Sequence, residues 1–484
     1  MESNDTVPAA VRARQALSEL FWGALSSAGD AATFESFEDD ALRIGHEAVA
    51  SAMASALERL DRELCASLPR GVRAHDRRRR TLATKAGDVS LEWTRVRDLR
   101  GFSAIPLADA LDLPHGCRVS PAACSFLVAA GAEVSYAKSA RLLSMAGGSR
   151  VTAATVMRAM RAAGALCAGE DEAAARALYE GGVLPGGSEE APELCLEADG
   201  TWFSVQRPGD GSRRLEVKAV VAYAGKEERG GKVRRRGPVR HALVGPASEL
   251  MPQAVAAVGS RYDLSKVRRV HVGADGERWC LAAGEWLPKA EAVVHLDPFH
   301  VDQAVLSCFP DRRLGRAVLD CLWDGGKEEA AALVDAAAEL GEARPERAAK
   351  VSAYLRGNMD AIAVEGPSLG TMEAENQHLY GVRMDSFPCA WSVRGASDMA
   401  RIRSRLHSGR AVPRMTREKS ATPRRKAARA RRELRWLETQ GRAAGRVVES
   451  AGKGWEPPRR ASVAGLSAEV RFAAGVDRGM VGIG

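Results

Sequence analysis

The sequence predicts an α/β protein, with a mixed sheet and a helical insertion, preceded by a mainly helical N-terminal region that contains a small β-hairpin. Apolar residues recur at three- and four-residue intervals through the first 68 residues, which is typical of amphipathic helices. β-like runs dominate only from about residue 194, after a Gly-, Pro- and acid-rich stretch at 169–193. That stretch is predicted to be a linker between the two parts.

The N-terminal part begins with predicted helices over residues 1–70 and continues as a basic β-hairpin segment over 71–110. Its turn is predicted at Gly87-Asp88, because such pairs favour tight turns. Four consecutive arginines, Arg77, Arg78, Arg79 and Arg80, lie in this segment and are candidates for contact with a polyanion.

Short helices are predicted over residues 111–168. Gly147-Gly148 ends one helix and Thr152 is placed to cap the next, which carries Val156, Met157 and Met160 on one face. Two interpretations remain open, a helix-turn-helix that reads DNA and an ordinary helical hairpin. In the first, Arg158 and Arg161 contact DNA.

The charge of the chain is unevenly distributed. The formal net charge is +8, but residues 401–484 hold 21 basic and 7 acidic residues, a net of +14, which leaves −6 for the first 400. A basic C-terminal tail is therefore predicted over 411–484, and it suits nucleic acid or is simply solvated. The tail arginines predicted to contact phosphate are Arg424, Arg425, Arg431 and Arg432.

Cysteine and hydropathy patterns narrow the class of protein. The 9 cysteines form no Cys-x-x-Cys pair, which argues against a zinc ribbon and a disulfide framework. The sequence shows neither a signal peptide nor an apolar run of about 18 residues that could span a membrane. We expect a cytoplasmic, nucleoid-associated protein without a membrane partner.

The pattern after residue 194 reads as three strands, a helix, a strand, a helix and a strand, which is the element order of a ribonuclease H-like core. The first part of this core is predicted over 194–300. Ala-rich helices over 301–365 are too long for a simple crossover and are predicted to be an insertion. The core is predicted to end over 366–410.

Carboxylates fall where such a sheet needs them. Asp199-Gly200 and Asp275-Gly276 each follow an apolar run, and Glu373 or Glu375 lies on a later helix. Either these residues only form turns and helix starts, or they hold two Mg²⁺ or Mn²⁺ ions, which prefer carboxylate oxygens. Two such ions can activate a hydroxyl and stabilise the leaving oxygen in phosphodiester cleavage.

The segment "HLDPFH" gives a rival site. His295, Asp297 and His300 are residue types that bind zinc or iron, although no further histidine pair lies nearby to close the coordination shell. A metal hydrolase centred on these three residues is therefore an alternative. A buried histidine that makes hydrogen bonds is the simpler interpretation of His300.

Several of these segments resemble the DDE transposases of the ISLre group of bacterial insertion sequences, relatives of the Mutator-like transposases. The similarity covers roughly residues 40–410 and is most specific over 372–401. It is carried by "EADG", "GADGERW", "LDPFH" and "MEAENQHLYGVRMDSFPCAWSVRGASDMARIR", together with "EVSYAKSARLL" and "RVTAATVMRAMRAAG" nearer the N-terminus.

The resemblance implies a ribonuclease H-like core in which Asp199, Asp275 and Glu373 hold two metal ions; the spacing to Arg383 selects Glu373 over Glu375. It makes His300, Asp297, His378 and Arg383 candidates for contact with the triad or the scissile phosphate. Trp391 is either a base-stacking residue or a core tryptophan.

The function expected from the sequence is that of a transposase, a mobile-element enzyme of DNA recombination. It would bind double-stranded DNA at terminal inverted repeats, cleave the element ends and join them to target DNA. We expect it to act as a homo-oligomer. Two alternatives remain, a catalytically inactive DNA-binding derivative and the metal hydrolase described above.

Overall fold

The computed structural model describes residues 9–28, 33–206, 213–287, 289–385, 389–417, 431, 432 and 435. The chain is mixed α/β, with a helical N-terminal region and a mixed sheet. It divides into two compact units. The first unit comprises residues up to 127, 136–156 and from 414 onward, and the second comprises 128–135 and 157–413.

The first unit opens with two helices, as the sequence predicts. Helix α1 spans Ala9–Ala28 and helix α2 spans Phe34–Ala66. Thr33 begins α2 with a reciprocal cap, in which its hydroxyl accepts from the Ser36 N–H and the Ser36 hydroxyl accepts from the Thr33 N–H. Farther along α2, the buried Asp61 accepts two hydrogen bonds from Thr94, through its N–H and its hydroxyl, which holds the helix on the hairpin.

The basic hairpin is formed by strand β1, Val72–Thr84, and strand β2, Gly87–Asp98, with the two-residue strand β3, Ser103–Ala104, beside β2. The turn lies at Lys85 and Ala86, so the predicted turn at Gly87-Asp88 is wrong by two residues. Gly87 has a φ of 110° but is already paired with Thr84. The Thr84 hydroxyl donates to the Gly87 carbonyl and accepts from the Ala86 N–H, which closes the turn earlier.

Four helices follow, and the predicted helix end at Gly147-Gly148 and helix start after Thr152 are confirmed. Gly147 is the last residue of its helix and Gly148 has a φ of 74°, while the Thr152 hydroxyl accepts from the Thr155 N–H. Val156 and Met160 are buried. The last helix continues to Tyr179, well into the stretch 169–193 that was predicted to be a linker. The linker prediction is therefore wrong for the first residues of that stretch. The bounds are α3 Pro106–Ala110, α4 Pro121–Glu133, α5 Tyr136–Gly147 and α6 Ala153–Tyr179.

The second unit is built on a five-stranded mixed sheet with the order β10-β9-β4-β5-β8. The first strand of this sheet, β4, is central. On one side β5 pairs antiparallel with β4 and β8 pairs antiparallel with β5, and on the other side β9 and β10 run parallel to β4. The predicted succession of strands is thus confirmed. The strands are β4 Glu193–Ser204, β5 Arg214–Tyr223, β8 Val239–Leu243, β9 Arg269–Ala274 and β10 Glu291–Leu296.

Shorter elements connect these strands. A small hairpin, β6 Lys226–Arg229 and β7 Lys232–Arg235, precedes β8. Helix α7, Ala247–Gly259, leads from β8 to β9, and its Leu250, Met251 and Val255 are fully buried in one apolar core with strands β4, β5 and β9. Helix α8, Arg278–Leu281, and a 3₁₀ turn at Ala282–Trp286 lead from β9 to β10.

A helical region with its own apolar core follows β10. Its helices are α9 Pro298–Cys308, α10 Arg312–Trp323, α11 Lys327–Glu339 and α12 Pro345–Gly357. Val301, Val305, Leu322, Val334 and Leu355 are buried together there. The residues predicted as an insertion, 301–365, are therefore helical as expected.

The chain then returns to the sheet. A 3₁₀ turn at Met359–Ala361 and helix α13, Met372–Glu375, lead into a π-helical turn at Asn376–Gly381 and the short helix α14, Val382–Met384. Helix α15, Val393–His407, closes the second unit. Its buried Arg405 donates to Asp171 of α6 at 2.7 Å, which fixes the two helices together. None of the described helices is long and apolar enough to cross a membrane.

Candidate active site

The register of three parallel strands aligns three aspartates at one edge of the sheet. Strand β4 pairs with β9 as far as Glu197↔Gly273, and Leu296 of β10 lies beside Ala274. Continuing this register brings Asp199 and Asp297 level with Asp275. Asp275 and Asp297 follow the last residues of their strands, so their side chains stand where the sheet opens.

Asp199 itself lies inside a strand. It pairs with Ala219, and Gly200 pairs with Lys218, so the turn interpretation of Asp199-Gly200 is wrong. A Cβ at Gly200 would lie 2.1 Å from Oε1 of Glu216, so a larger residue there would displace the end of that side chain. Asp275-Gly276 does end its strand, and Gly276 has a φ of 104° against the ring of Tyr354.

The Asp199 carboxylate is held and electrostatically perturbed. Its Oδ1 accepts from the Gly200 N–H at 2.7 Å and its Oδ2 accepts from the Asn376 amide at 2.8 Å. Burial, and then the charge of Asp275, raise the pKa of Asp199 to about 6, while the charge of His300 opposes this shift. Asp199, Asp275 and His300 therefore interact electrostatically.

Glu373 and Glu375 have different environments although they are two residues apart. The exposed Glu373 side chain forms no hydrogen bond or ion pair with any residue in the described ranges. Glu375 is buried and bound by the guanidinium groups of Arg235 and Arg240. Burial acts to raise the pKa of Glu375, but these two arginines lower it below its usual value. Glu375 is thus committed to a structural ion pair, and Glu373 is the available carboxylate.

A hydrogen-bond network that the sequence analysis missed fixes the start of α13. The buried Glu197 accepts from the Thr371 N–H at 2.6 Å, from the Thr371 hydroxyl and from the Tyr223 hydroxyl at 2.6 Å. Arg235 donates to the hydroxyl and carbonyl of Thr371 as well as to Glu375. Thr371 occupies the N-cap position of α13, but its hydroxyl donates to Glu197 instead of capping the helix.

The edge of the sheet where the aspartates align opens onto a cavity of about 200 Å³. The carboxylates Asp199, Asp275 and Glu373 all line it, so the structure brings the three predicted acidic residues to one place. Within the ranges described, no three His, Cys, Asp or Glu side chains form a ready-made metal site. Carboxylate oxygens are nevertheless the donors that Mg²⁺ and Mn²⁺ prefer, and a cation would relieve the repulsion between Asp199 and Asp275. The further polar residues of the lining are Glu197, His295, Asp297, His300 and Ser368.

The histidines of the rival site serve other contacts. His295 Nε2 is 2.9 Å from Nδ1 of His271, and both rings are buried between β9 and β10. Burial and the neighbouring His271 lower the pKa of His295. Asp297 caps α9 by accepting from the Phe299 N–H at 2.9 Å. His295 and Asp297 therefore already have structural partners, while His300 faces the cavity from the first turn of α9.

Three residues singled out by the sequence lie outside the cavity lining. His378 is exposed on the π-helical turn. Arg383 donates to the Gly131 carbonyl at 3.2 Å, and its guanidinium lies 5.2 Å from the ring centroid of Trp391. Trp391 is buried, and its indole N–H donates to the Met384 carbonyl at 3.0 Å. Trp391 is only 8% exposed, so the structure places it in the core, as the second of its two interpretations expects, and not on a surface where it could stack on a base.

The basic residues predicted to contact DNA are mostly exposed where they are described. Arg77, Arg78 and Arg79 are exposed on β1, whereas Arg80 is half-buried and bonds to the Cys117 carbonyl. Arg158 and Arg161 are exposed on α6. Arg431 and Arg432 are described and exposed. Arg424 and Arg425 lie outside the described residues.

A comparison with family models finds a match over residues 28–420 to a model described as Uncharacterised protein family (UPF0236). A search of curated proteins finds no match. The matched span includes the hairpin, the mixed sheet, the helical region and every residue that lines the acidic cavity.

Proposed function

The chain belongs to the Uncharacterised protein family (UPF0236), and from that premise we propose that it is a DNA transposase with a ribonuclease H-like catalytic core. It cleaves DNA at the ends of an insertion sequence and joins them to target DNA. The sheet order supports this core, since the first strand of the sheet is central, with three successive strands paired antiparallel on one side and two further strands parallel to it on the other.

One observation carries the proposal. Asp199, Asp275 and Glu373 line a single cavity although 174 residues separate the first from the last. Strand register aligns the two aspartates, and the Glu197–Thr371 contacts hold the start of the helix that carries Glu373. Glu373 forms no ion pair or side-chain hydrogen bond with any described residue, so its carboxylate is available to bind a metal ion.

The residues have distinct roles in this proposal. Asp199, Asp275 and Glu373 would hold two Mg²⁺ or Mn²⁺ ions, which when bound activate a water or 3′-hydroxyl and stabilise the leaving oxygen. Asn376 orients Asp199 through its hydrogen bond to Oδ2. His300, on the cavity wall near Asp199, is positioned to contact a phosphate oxygen of the DNA.

The DNA substrate would be bound chiefly through its phosphates. The exposed arginines of β1, together with Arg158 and Arg161 of α6, provide the positive charge for this contact. Such contacts give a salt-dependent affinity and fix the position of the duplex, whereas recognition of terminal inverted repeats requires contacts to base edges.

The test measures nicking of duplexes carrying the element ends, in the presence of Mg²⁺ or Mn²⁺. Asp199→Asn, Asp275→Asn and Glu373→Gln are each expected to lower cleavage by roughly 10²-fold or more while DNA binding is retained. Glu328→Gln is the matched control for Glu373→Gln, because Glu328 is also exposed in a first helical turn but lies outside the cavity. Full cleavage by any of the three variants would remove that residue from the site.

The same assay separates the alternatives. A non-catalytic DNA-binding derivative would bind the ends and leave them intact with either metal. A metal hydrolase centred on His295, Asp297 and His300 would lose activity in Asp297→Ala and keep it in Asp199→Ala. Because Asp297 already caps α9 and His295 is bonded to His271, we expect Asp199→Ala to lose activity and Asp297→Ala to keep more of it.

A further inference from the structure

A second cavity lies in the first unit, on the exposed face of the basic hairpin. Its volume is about 370 Å³, and four arginines line it: Arg79, Arg80, Arg118 and Arg150. One carboxylate, Asp88, shares the lining with Thr81 and Ala83. Because four cationic groups face one anionic group, the cavity carries an excess of positive charge.

Three of these arginines are not neutralised. Within the part of the chain that the structure describes, the side chains of Arg79, Arg118 and Arg150 form no hydrogen bond or ion pair, and all three are exposed. Arg80 differs, because it donates to the Cys117 carbonyl and lies 6.0 Å from the ring centroid of Trp93. Arg80 is therefore anchored, while the other three are free to bind an anion.

Backbone contacts bring the three chain segments together. Ala83 of β1 exchanges hydrogen bonds with the segment that contains Arg118, since its N–H donates to the Arg118 carbonyl and its carbonyl accepts from Ser120. The next residue of β1, Thr84, donates its N–H to the hydroxyl of Ser149, which precedes Arg150. The convergence of arginines is thus fixed by the fold of the unit and does not depend on flexible side chains alone.

We propose that Arg79, Arg118 and Arg150 form a binding site for backbone phosphates of duplex DNA. Guanidinium groups bind phosphate oxygens through paired hydrogen bonds, and the site offers three guanidinium groups that form no ion pair with any described carboxylate, Asp88 of the lining included. The exposed arginines of β1 continue outward from this cavity as far as Arg73, about 20 Å at the usual rise per strand residue. This length suits a polymeric anion better than a single small phosphate.

The choice of DNA among polyanions rests on the proposed function, whereas the anion site rests on the three unpaired arginines Arg79, Arg118 and Arg150. The test therefore measures binding of DNA by the full chain, with a chelator in the buffer so that no metal ion takes part. The affinity for a labelled duplex is measured by fluorescence anisotropy over a range of salt concentrations. The double variant Arg118→Ala/Arg150→Ala is compared with Arg62→Ala/Arg70→Ala, which removes the same charge from exposed positions of the same unit outside the cavity.

The cavity variant is expected to bind the duplex roughly tenfold more weakly at moderate salt, with a salt slope shallower by about 1.8, because each phosphate contact contributes about 0.9. The control is expected to keep the slope of the unsubstituted chain. Arg118→Lys/Arg150→Lys should restore most of the slope, since it restores the charge, which also shows that the losses do not come from unfolding.

Equal slopes for the cavity variant and the control would overturn the site. Loss of binding to single-stranded RNA but not to duplex DNA would overturn the choice of partner. A chain that shows the expected slope change but cleaves no DNA with any metal would contradict the proposed function and leave this inference standing.

Discussion

Asn376 donates a hydrogen bond from its amide to Oδ2 of Asp199, across 2.8 Å, and so joins the π-helical turn to the central strand of the sheet. The other amide atom of Asn376, Oδ1, is buried and has no partner among the described residues. A 180° rotation of this amide would turn it from a donor into an acceptor toward residue 199. The contact can therefore accept an amide in place of the Asp199 carboxylate.

Asp199→Asn is expected to stabilise the metal-free protein by about 1–2 kcal/mol at neutral pH, because it removes a buried charge that Asp275 repels. The raised pKa fixes the sign. The cost of the charge is absent below the ordinary aspartate pKa of 3.8 and fully present above about 6. The advantage of the variant should therefore grow with pH across that window.

Urea denaturation at several pH values, with a chelator present, measures this effect. Asp263→Asn is the control, since hydrogen bonds from Ser265 lower the pKa of Asp263 and no gain is expected there. A variant that is less stable than the unsubstituted protein throughout this pH range would contradict the prediction. Added Mg²⁺ should stabilise the unsubstituted protein and have less effect on Asp199→Asn.

Glu375→Ala is expected to destabilise the protein by about 3–5 kcal/mol, because it leaves the half-buried guanidinium groups of Arg235 and Arg240 without their carboxylate. Glu373→Ala is the matched variant two residues away and should change stability by less than about 0.5 kcal/mol, since Glu373 is exposed. Chemical denaturation measures both. Similar losses of stability in the two variants would contradict the assignment of Glu375 to a structural ion pair and of Glu373 to an unpaired carboxylate.

Glu197→Gln is expected to cost roughly 1–3 kcal/mol, because every group bonded to this carboxylate is a donor. A glutamine would present an amide N–H to the N–H of Thr371 or to one of the two hydroxyls. Urea denaturation checks the loss, with Glu346→Gln, an exposed residue of α12, as the control. If Tyr223→Phe makes no difference to the cost of Glu197→Gln in a double-mutant cycle, the proposed contact between the two is not energetically coupled.

His241 makes stability depend on pH. Burial lowers the pKa of His241 to about 4, against the opposing charge of Asp171, whose Oδ2 is 3.9 Å from Nδ1. Between about pH 6.5 and 4 the unfolded chain takes up a proton that the folded protein does not, so stability falls as pH falls, by up to about 3 kcal/mol. Arg401 and Arg410 also face this ring and disfavour its protonation.

Thermal unfolding across this pH range is the measurement. His241→Gln should flatten the decline, because no ring remains to be protonated in the unfolded chain. His75→Gln, at an exposed position of β1, should leave the decline unchanged. An identical decline in His241→Gln would assign the effect to other groups.

The sequence could predict the strands and the acidic residues because both depend on local pattern. Apolar runs of strand length predicted the succession of β4, β5, β8, β9 and β10 along the chain. The parallel register of β4 with β9 then fixes how Asp199 and Asp275 align. The position of Asp199 within its strand was not predictable from Asp-Gly alone, because that pair is a turn signal in most contexts.

The remaining contacts join residues far apart in the chain. Arg235 reaches Glu375 across 140 positions, and Glu197 reaches Thr371 across 174. No local periodicity encodes such pairs, so neither the buried role of Glu375 nor the Glu197 acceptor could be predicted. Trp391 was ambiguous for a related reason, since only the fold shows that Met384 accepts its indole N–H.

The two aspartates of the acidic cavity precede the helical region, and Glu373 follows it. Asp275 therefore leaves the ribosome about a hundred residues before Glu373 does, and the helical region, with its separate apolar core, can fold in the interval. The residues that line the arginine cavity are all made earlier still, since the last of them is Arg150. During translation, the arginines of this cavity are thus made long before the third acidic residue, and a polypeptide released early would carry the arginines without the complete acidic set.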